Sequence, residues 1–313
     1  MPWDNQTKRR LKLRELDILM AVVKMGGMRK AADHLHMSQP TVSKAIADLE
    51  HTLGVPLLDR SPQGIEPTQY GRALLDCGMA VFDDLRQGIQ NIEFLADPTV
   101  GEIRIGSNEA LIAGLLPAVF GRLRRQRPGI SIHAKPVSIL TQQFLELRER
   151  KVDIIVGRIP PSIGEDITAD ILFNERTVVV AGLKSKWAHR RKIELSELAD
   201  EPWSLPSPDT LVGSLVADAF RESGLRFPPK GAAMGTLHLF CALLARESFL
   251  AIVPSSLLQF GSLPPLKVLP VKLPLPAWPV GIMTLKNRTL SRAVQLFIDC
   301  ACEVAKPLAK HQA

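Results

Sequence analysis

In the stretch "MSQPTVSKAIADLE", residues 37–50, hydroxyl, amide and ammonium side chains crowd the front while apolar residues recur behind them. Gln39 offers an amide donor and acceptor side by side, the pattern that matches an adenine edge. Thr41 and Ser43 can reach a base or a phosphate, and Lys44 carries a cation suited to phosphate or guanine. Short polar groups beside a cation are what a surface needs in order to hydrogen-bond inside a DNA groove. On an unrelated helical domain the same groups would be a solvated helix face.

Such residues must be held by a helix. At about 100° per residue, Val42, Ile46, Leu49 and Leu53 fall on one stripe and Pro40, Ser43, Lys44 and Ala47 on the opposite side. Ser38 is the expected N-cap, Pro40 sits in the first turn where a missing N–H is harmless, and Gly54 supplies the stop. Ala47 is small enough to let the helix approach a groove, and the helix N-terminus itself favours a phosphate.

Upstream, Leu16, Leu19, Met20 and Val23 recur at helical spacing until Gly26 and Gly27, and "MRKAADHLH" predicts a short second helix with Ala31, Ala32 and Leu35 inward. Two helices joined by only His36 and Met37 form a helix-turn-helix. Downstream, "VPLLDRSPQGIEPTQYG" predicts a hairpin, a wing with Arg60 near its start. His34, His36 and His51 lack companions at ligand spacing and are read as surface histidines, with no metal expected.

The run "RKAADHLHMSQPTVSKAIADLEHTLGVPLLDR" resembles the winged helix-turn-helix of the LysR-type transcriptional regulators, with its paired alanines, "S-Q-P-x-x-S", "L-E-x-x-L-G" and final arginine. The likeness is dense over residues 11–72. It implies a DNA-binding set of Ser38, Gln39, Pro40, Thr41, Ser43, Lys44 and Arg60. Departures are few: Lys44 stands where the family usually has arginine, trading a bidentate guanine contact for a point charge. Leu58 and Asp59 precede Arg60 in place of the usual phenylalanine and a variable residue, Gln63 replaces a second wing arginine, and Pro67 replaces a leucine.

From Thr68 to Ala96 the chain runs without proline. Gly71, Leu75, Gly78, Phe82, Leu85, Ile89, Ile92 and Ala96 alternate spacings of four and three, a heptad seam. A helix of this length spans roughly 40 Å, and the resemblance places the family's linker helix here. Leu75, Phe82, Leu85, Ile89 and Ile92 are the expected dimer seam, antiparallel or otherwise paired, and Asp97 and Pro98 end the helix as a hinge.

Beyond the hinge, "GEIRIGS", "ISIHAKPV" and "VDIIVGR" read as strands separated by helices, a βαβαβ order that predicts a parallel sheet with right-handed crossovers. A second set follows, from "RTVVVAGL" to "LAIVP", before "VGIMTLK" and a final helix. Two α/β halves with a cleft between them resemble the family's effector domain, itself similar to type 2 periplasmic binding proteins. The expected organisation is a winged helix-turn-helix over 1–67, a linker helix over 68–98 and an effector domain over 99–313. Within the last, one lobe takes about 101–160 and 271–313 and the other about 161–270.

Ligands of such sheets bind outside the carboxyl ends of strands, beside helix N-termini. That rule singles out Ser107, Thr141, Arg158, Ser207 and Thr236 as candidate effector-binding residues, a set suited to a small anion. Each hydroxyl could instead be an ordinary helix cap, and Arg158 a brace for the hinge.

Composition constrains the alternatives. With 313 residues, 46% hydrophobic and 23% charged, the chain is a multidomain globular protein, and a net charge of +7 favours an anionic partner. The basic runs 122–127 and 184–192 are read as solvated surface. No apolar run suits a signal peptide or a membrane span, and the four cysteines form no disulfide or zinc framework, so a cytoplasmic location is expected. The absence of an export signal and the leading helix-turn-helix argue against a solute-binding uptake protein. No G-x-G-x-x-G, no G-K-[ST] and no nucleophile elbow supports an enzyme. The resemblance implies promoter DNA and a small-molecule co-inducer as partners, no cofactor, a homodimer paired into a tetramer, and a contact with RNA polymerase.

Overall fold

The structure, a computed structural model, describes residues 11–61, 64–137, 143–228, 231–233, 237–246, 249–260 and 265–310. The chain divides into two compact units, Met1–Gln87 and Gly88–Ala313.

Unit one contains α1 (Leu13–Met25), α2 (Met28–His34), α3 (Gln39–Leu53), the strands β1 (Leu58–Ser61) and β2 (Gly64–Pro67), and most of α4 (Gln69–Ala96). Gly26 and Gly54 end α1 and α3 at φ of 69° and 67°, left-handed values that cost a glycine little. Ile18, Leu19, Val22, Ala31, Ala32, Val42, Ile46, Leu49 and Leu57 form one core among the three helices and the wing base. β1 and β2 pair antiparallel from Leu58↔Pro67 to Ser61↔Gly64, which makes the expected wing.

The first half of α4 belongs to this core. A Cβ on Gly71 would lie 2.0 Å from the Leu57 carbonyl oxygen, so only glycine lets the helix approach the wing base so closely. Gly78 faces Met20 and Leu16, and Leu75 packs against the same core. These three seam positions therefore serve packing within the chain, because α4 must first anchor its own domain. Leu85, Ile89 and Ile92, farther along, are 45%, 57% and 67% exposed.

Unit two begins with β3 (Val100–Ser107), α5 (Glu109–Ala113), α6 (Leu115–Gln126), β4 (Gly129–Pro136), α7 (Gln143–Arg148), β5 (Ile154–Arg158), β6 (Ile167–Glu175) and β7 (Thr177–Gly182). It continues with β8 (Trp203–Leu205), α8 (Leu211–Glu222), β9 (Gly231–Ala233), α9 (Leu237–Arg246), β10 (Leu250–Pro254), α10 (Ser255–Phe260), β11 (Leu266–Val268), β12 (Trp278–Leu285) and α11 (Arg292–Lys310). One sheet has the order β4-β3-β5-β12-β6 and the other β11-β7-β10-β8-β9. β3 is parallel to β4 and β5 as expected, but β12 returns antiparallel to β5 and β6, so the sheet is mixed.

β5 is buried throughout because helices cover both faces of its sheet. Ile103, Ile105, Leu116, Val280 and Ile282 meet Val119 of α6 and Phe297 of α11 on one side. Ile155, Ile167 and Met283 meet Leu147 of α7 on the other. In the second lobe Trp203 packs edge-on against Phe220, and its indole N–H donates to the Leu198 carbonyl at 2.8 Å.

The lobe boundaries differ from the expected ones. β6 lies beyond residue 160 yet pairs with β12 in the first sheet, so the chain crosses between Glu175 and Thr177. On the return, Val271, Leu273 and Leu275 still pack on the second lobe's core. The partner of β6 is more than a hundred residues away, and nothing local to 167–175 names it.

One buried ionic group ties the first lobe together. Asp153 and Arg288 have fully buried side chains 2.8 Å apart, and Arg104 also donates to Asp153 at 2.8 Å. Arg288 further donates to the carbonyls of Val152 and Asp153. Burial would raise the Asp153 pKa, but the hydrogen bonds and charge of Arg104 and the charge of Arg288 outweigh it and hold the carboxyl below its usual range. A depressed carboxyl pKa contributes stability above the unfolded value near 3.9, lost as pH falls through the folded value. Asp153→Asn should deprive the buried Arg288 of its counter-charge and cost about 3 kcal/mol, read as a lower urea midpoint at pH 7. The deficit relative to wild type should shrink as pH falls below about 4.

Candidate nucleic-acid interface and ligand cleft

Ser38 has extended backbone, and its hydroxyl accepts from the Thr41 N–H at 3.3 Å, capping α3 as its residue type predicts. The Ser38 and Thr41 hydroxyls lie 2.7 Å apart, so these two candidates fix the helix start as well as bordering it. Gln39, Pro40, Thr41, Lys44 and Ala47 are exposed and Ser43 is half-buried, while Val42, Ile46 and Leu49 are fully buried. The turn before α3 passes through His36 at φ 54°, and the Met37 N–H donates to the Ala32 carbonyl at 2.9 Å. The N-terminal edge of α3 is thus exposed, with the Gln39 amide and the Lys44 ammonium on it.

Arg60 is exposed on β1 opposite Ile65, adding a second cation on the wing. Gln63, at the wing's turn, lies outside the described residues. Sequence reasoning passed over Glu50, whose carboxylate accepts from the N–H groups of Leu57 and Leu58 at 2.7 and 3.3 Å. It fastens the base of the wing to α3, and the "L-E-x-x-L-G" pattern was the available signal. Ser38→Ala should remove the cap and lower the unfolding free energy of the N-terminal unit by about 1 kcal/mol. Guanidinium melts of the full chain, followed by a probe placed in that unit, measure it.

In unit two, the carboxyl ends of β3 and β5 lie side by side, since Ser107 pairs with Val156. Ser107 is fully buried and its hydroxyl donates to the Val156 carbonyl at 2.6 Å. Its side chain is therefore committed to the sheet, contrary to the expectation that it faces a ligand. The helix beyond it is capped by Asn108, which accepts from the Leu111 N–H at 3.0 Å. Ser207 is half-buried, and its carbonyl accepts from the N–H and hydroxyl of Thr210 at 2.9 and 2.7 Å. Thr210, not Ser207, caps α8, by accepting from the Gly213 N–H at 3.1 Å. Thr141 and Thr236 lie outside the described residues.

Arg158 ends β5, buried, with its guanidinium 5.9 Å from the ring centre of Trp278. Burial pulls its pKa down from the ordinary arginine value, and the charge of Glu175 opposes that pull. Glu175 is itself buried at the end of β6 and accepts from the Ser255 hydroxyl at 2.9 Å, the Ser256 N–H at 3.1 Å and the Ser256 hydroxyl. Arg158, Trp278, Glu175, Ser255 and Ser256 thus gather where the chain passes between lobes. Of these, sequence reasoning named only Arg158, because the others come from segments far apart in the chain.

The basic run 184–192 is largely answered locally. Lys186, Arg190 and Lys192 pair with Glu201, Glu197 and Glu194 at 2.7, 2.9 and 3.0 Å, and Lys186 and Arg190 flank the Trp187 ring. Among the described residues no group of three or more His, Cys, Asp or Glu side chains could hold a metal ion. Nor is any described helix long and apolar enough to cross a membrane.

Comparison with known proteins matches both units. Residues 13–72 fit the model described as bacterial regulatory helix-turn-helix protein, lysR family, and residues 96–306 fit the LysR substrate binding domain. The transcriptional regulator GbpR of Azospirillum brasilense is 28% identical over 289 residues, covering 91% of this chain and 84% of GbpR. BenM, a transcriptional regulator of Acinetobacter baylyi, is 29% identical over 255 residues, 79% of this chain and 81% of BenM. The crystal structure of full-length BenM aligns with a TM-score of 0.53 at 26% identity, covering 95% of this chain and 97% of that one. A full-length OxyR variant from Pseudomonas aeruginosa aligns with a TM-score of 0.68 at 22% identity, covering 97% and 99%, a likeness of fold.

Proposed function

Because the chain belongs to the LysR family of transcriptional regulators, whose DNA-binding and substrate-binding models together span residues 13–72 and 96–306, we propose that α3 reads promoter DNA through Gln39, Pro40, Thr41, Ser43 and Lys44. Ser38 holds the start of that helix, and Arg60 grips a phosphate from the wing. The observation that carries this reading is the split face of α3: Val42, Ile46 and Leu49 fully buried, the polar N-terminal edge exposed. That family is one of regulators, not enzymes, and a reader of promoter DNA would work in the cytoplasm.

Lys44 and Arg60 are assigned to phosphates, so each should release counterions on binding. Lys44→Ala and Arg60→Ala should each weaken binding at every sequence and reduce the slope of log affinity against log salt by roughly one. Gel shifts on a promoter fragment across a salt series measure both. Wild-type slopes in the two variants would remove these residues from the interface.

The reader of an inverted repeat must be a dimer. The seam that supports one is the apolar row Leu85, Ile89, Ile92 and Leu95, exposed at 45% to 79% on the 28-residue α4. Phe82 continues it half-buried, and Leu75 contributes by shaping the anchored half of the helix. An open apolar groove of about 420 Å³, lined by residues of α3, the wing base and α4 including Leu57, Tyr70 and Leu74, offers further surface for a second copy. Ile89→Asp combined with Ile92→Asp should convert the dimer, or its paired tetramer, to monomers in sedimentation velocity. It should abolish footprints on a two-half-site operator.

A small-molecule effector bound between the lobes would set an anionic group near Arg158 and Ser207; Thr141 and Thr236, outside the described residues, are further candidates. Binding that favours one lobe arrangement over another would be felt through the hinge at Asp97 and Pro98, since a ligand shifts an equilibrium only by its differential affinity for two states. The resulting change in the spacing of two DNA readers is the step at which RNA polymerase would sense the effector.

A further inference from the structure

The first lobe reaches across to the second with two carboxylates, and each takes the N-terminal N–H of a helix there. Glu175, at the end of β6, accepts from the Ser256 N–H at 3.1 Å near the start of α10, and from the hydroxyls of Ser255 and Ser256. Glu109, the first residue of α5, accepts from the Leu237 N–H at 3.0 Å, the first residue of the ten-residue α9. Residues 109 and 237 are 128 positions apart and belong to different sheets' layers. A carboxylate at this position answers an N–H with no partner inside its own helix and lies at the positive end of the helix dipole.

The two contacts differ in how readily they break. Glu175 is 2% exposed and holds three donors, so opening it would strand a buried charge. Glu109 is exposed and, among the described residues, accepts from the Leu237 N–H, so water can replace what it loses. Beside Glu109, Ala113 of α5 packs on the cluster of Val180, Phe240 and Leu257, and a Cβ on Gly114 would lie 3.3 Å from the Leu257 Cα. α10 spans the junction, with Leu257 in the second lobe's cluster and Phe260 against the first lobe's core.

We propose that Glu109 is a releasable latch between the lobes and that the Glu175–Ser255–Ser256 cluster is the pivot about which they turn. Closed, Glu109 keeps α9 against α5. Movement that separates α5 from α9 frees the Leu237 N–H while leaving the pivot closed. This goes beyond the binding reading, since it concerns the lobes' own equilibrium and needs no knowledge of the effector.

Hydrogen exchange of the full-length chain, resolved to single amides by fragmentation, tests it without DNA or ligand. Glu109→Ala should speed exchange of the Leu237 amide tenfold or more, with β10, α11 and the thermal midpoint unchanged. Glu109→Gln, which keeps an uncharged acceptor, should fall between Ala and wild type. An unchanged Leu237 amide in Glu109→Ala would overturn the latch. So would acceleration spreading through all of α9 and β10, which would mean local unfolding. Should Glu109→Ala not fold, the Gln variant decides alone: faster exchange at Leu237 supports the latch and wild-type exchange overturns it. Because DNA is absent, failure here leaves the assignment of α3 standing, and failure of the salt series leaves the latch standing.

Discussion

A helix packed by one stripe has no freedom left to turn about its axis, and the exposure of the polar edge of α3 follows from that. Val42, Ile46 and Leu49 of α3 are fully buried against α1 and α2, each contributing on the order of 1.5–3 kcal/mol by leaving water. Rotating α3 to hide Gln39 or Lys44 would return those side chains to solvent. The Ser38 cap sets where the helix starts, and Glu50 ties its far half to the wing base through Leu57 and Leu58. Leu57 in turn presses its carbonyl against Gly71 of α4. The exposed edge of α3, the wing and the anchored first half of α4 are therefore one mechanical piece.

The second unit is organised by carboxylates rather than by its apolar layers alone. Asp153, enclosed by Arg104 and Arg288, fastens β3 and β5 to the segment following β12. Glu175 fastens β6 to α10 at the crossing between lobes, and Arg158 lies buried beside it against Trp278. Removing any such group would leave an unanswered charge or donor in a low-dielectric interior, which is why these contacts define rigid parts. Motion belongs to contacts that water can replace, such as that of Glu109. A regulator needs both kinds, one to preserve the lobes and one to let their arrangement respond.

What could be read along the chain is what depends on neighbours within one or two turns. The stripe of α3, its serine cap, its glycine stop and the wing were legible because helix periodicity, capping and turn chemistry are local. So was the family, since its signature residues are consecutive. The fate of Ser107 was not legible: a serine at a strand end looks like a ligand group until a neighbouring strand offers the Val156 carbonyl. Gly71 and Gly78 looked like seam residues because heptad spacing reports which side of a helix is special and not which surface meets it.

The sequence by itself therefore determined the type and order of most elements, the orientation of α3 and the family to which the chain belongs. Tertiary structure decided the membership of β6 and β12 in one mixed sheet, the crossing of the chain at Glu175, and the pairing of Asp153 with Arg104 and Arg288. It also decided which candidate hydroxyls were already spent. The physical reason is distance along the chain. Burial period, cap and turn are settled by residues a few positions apart, whereas a strand's partner or a buried charge's counter-ion is chosen by whatever folding brings beside it.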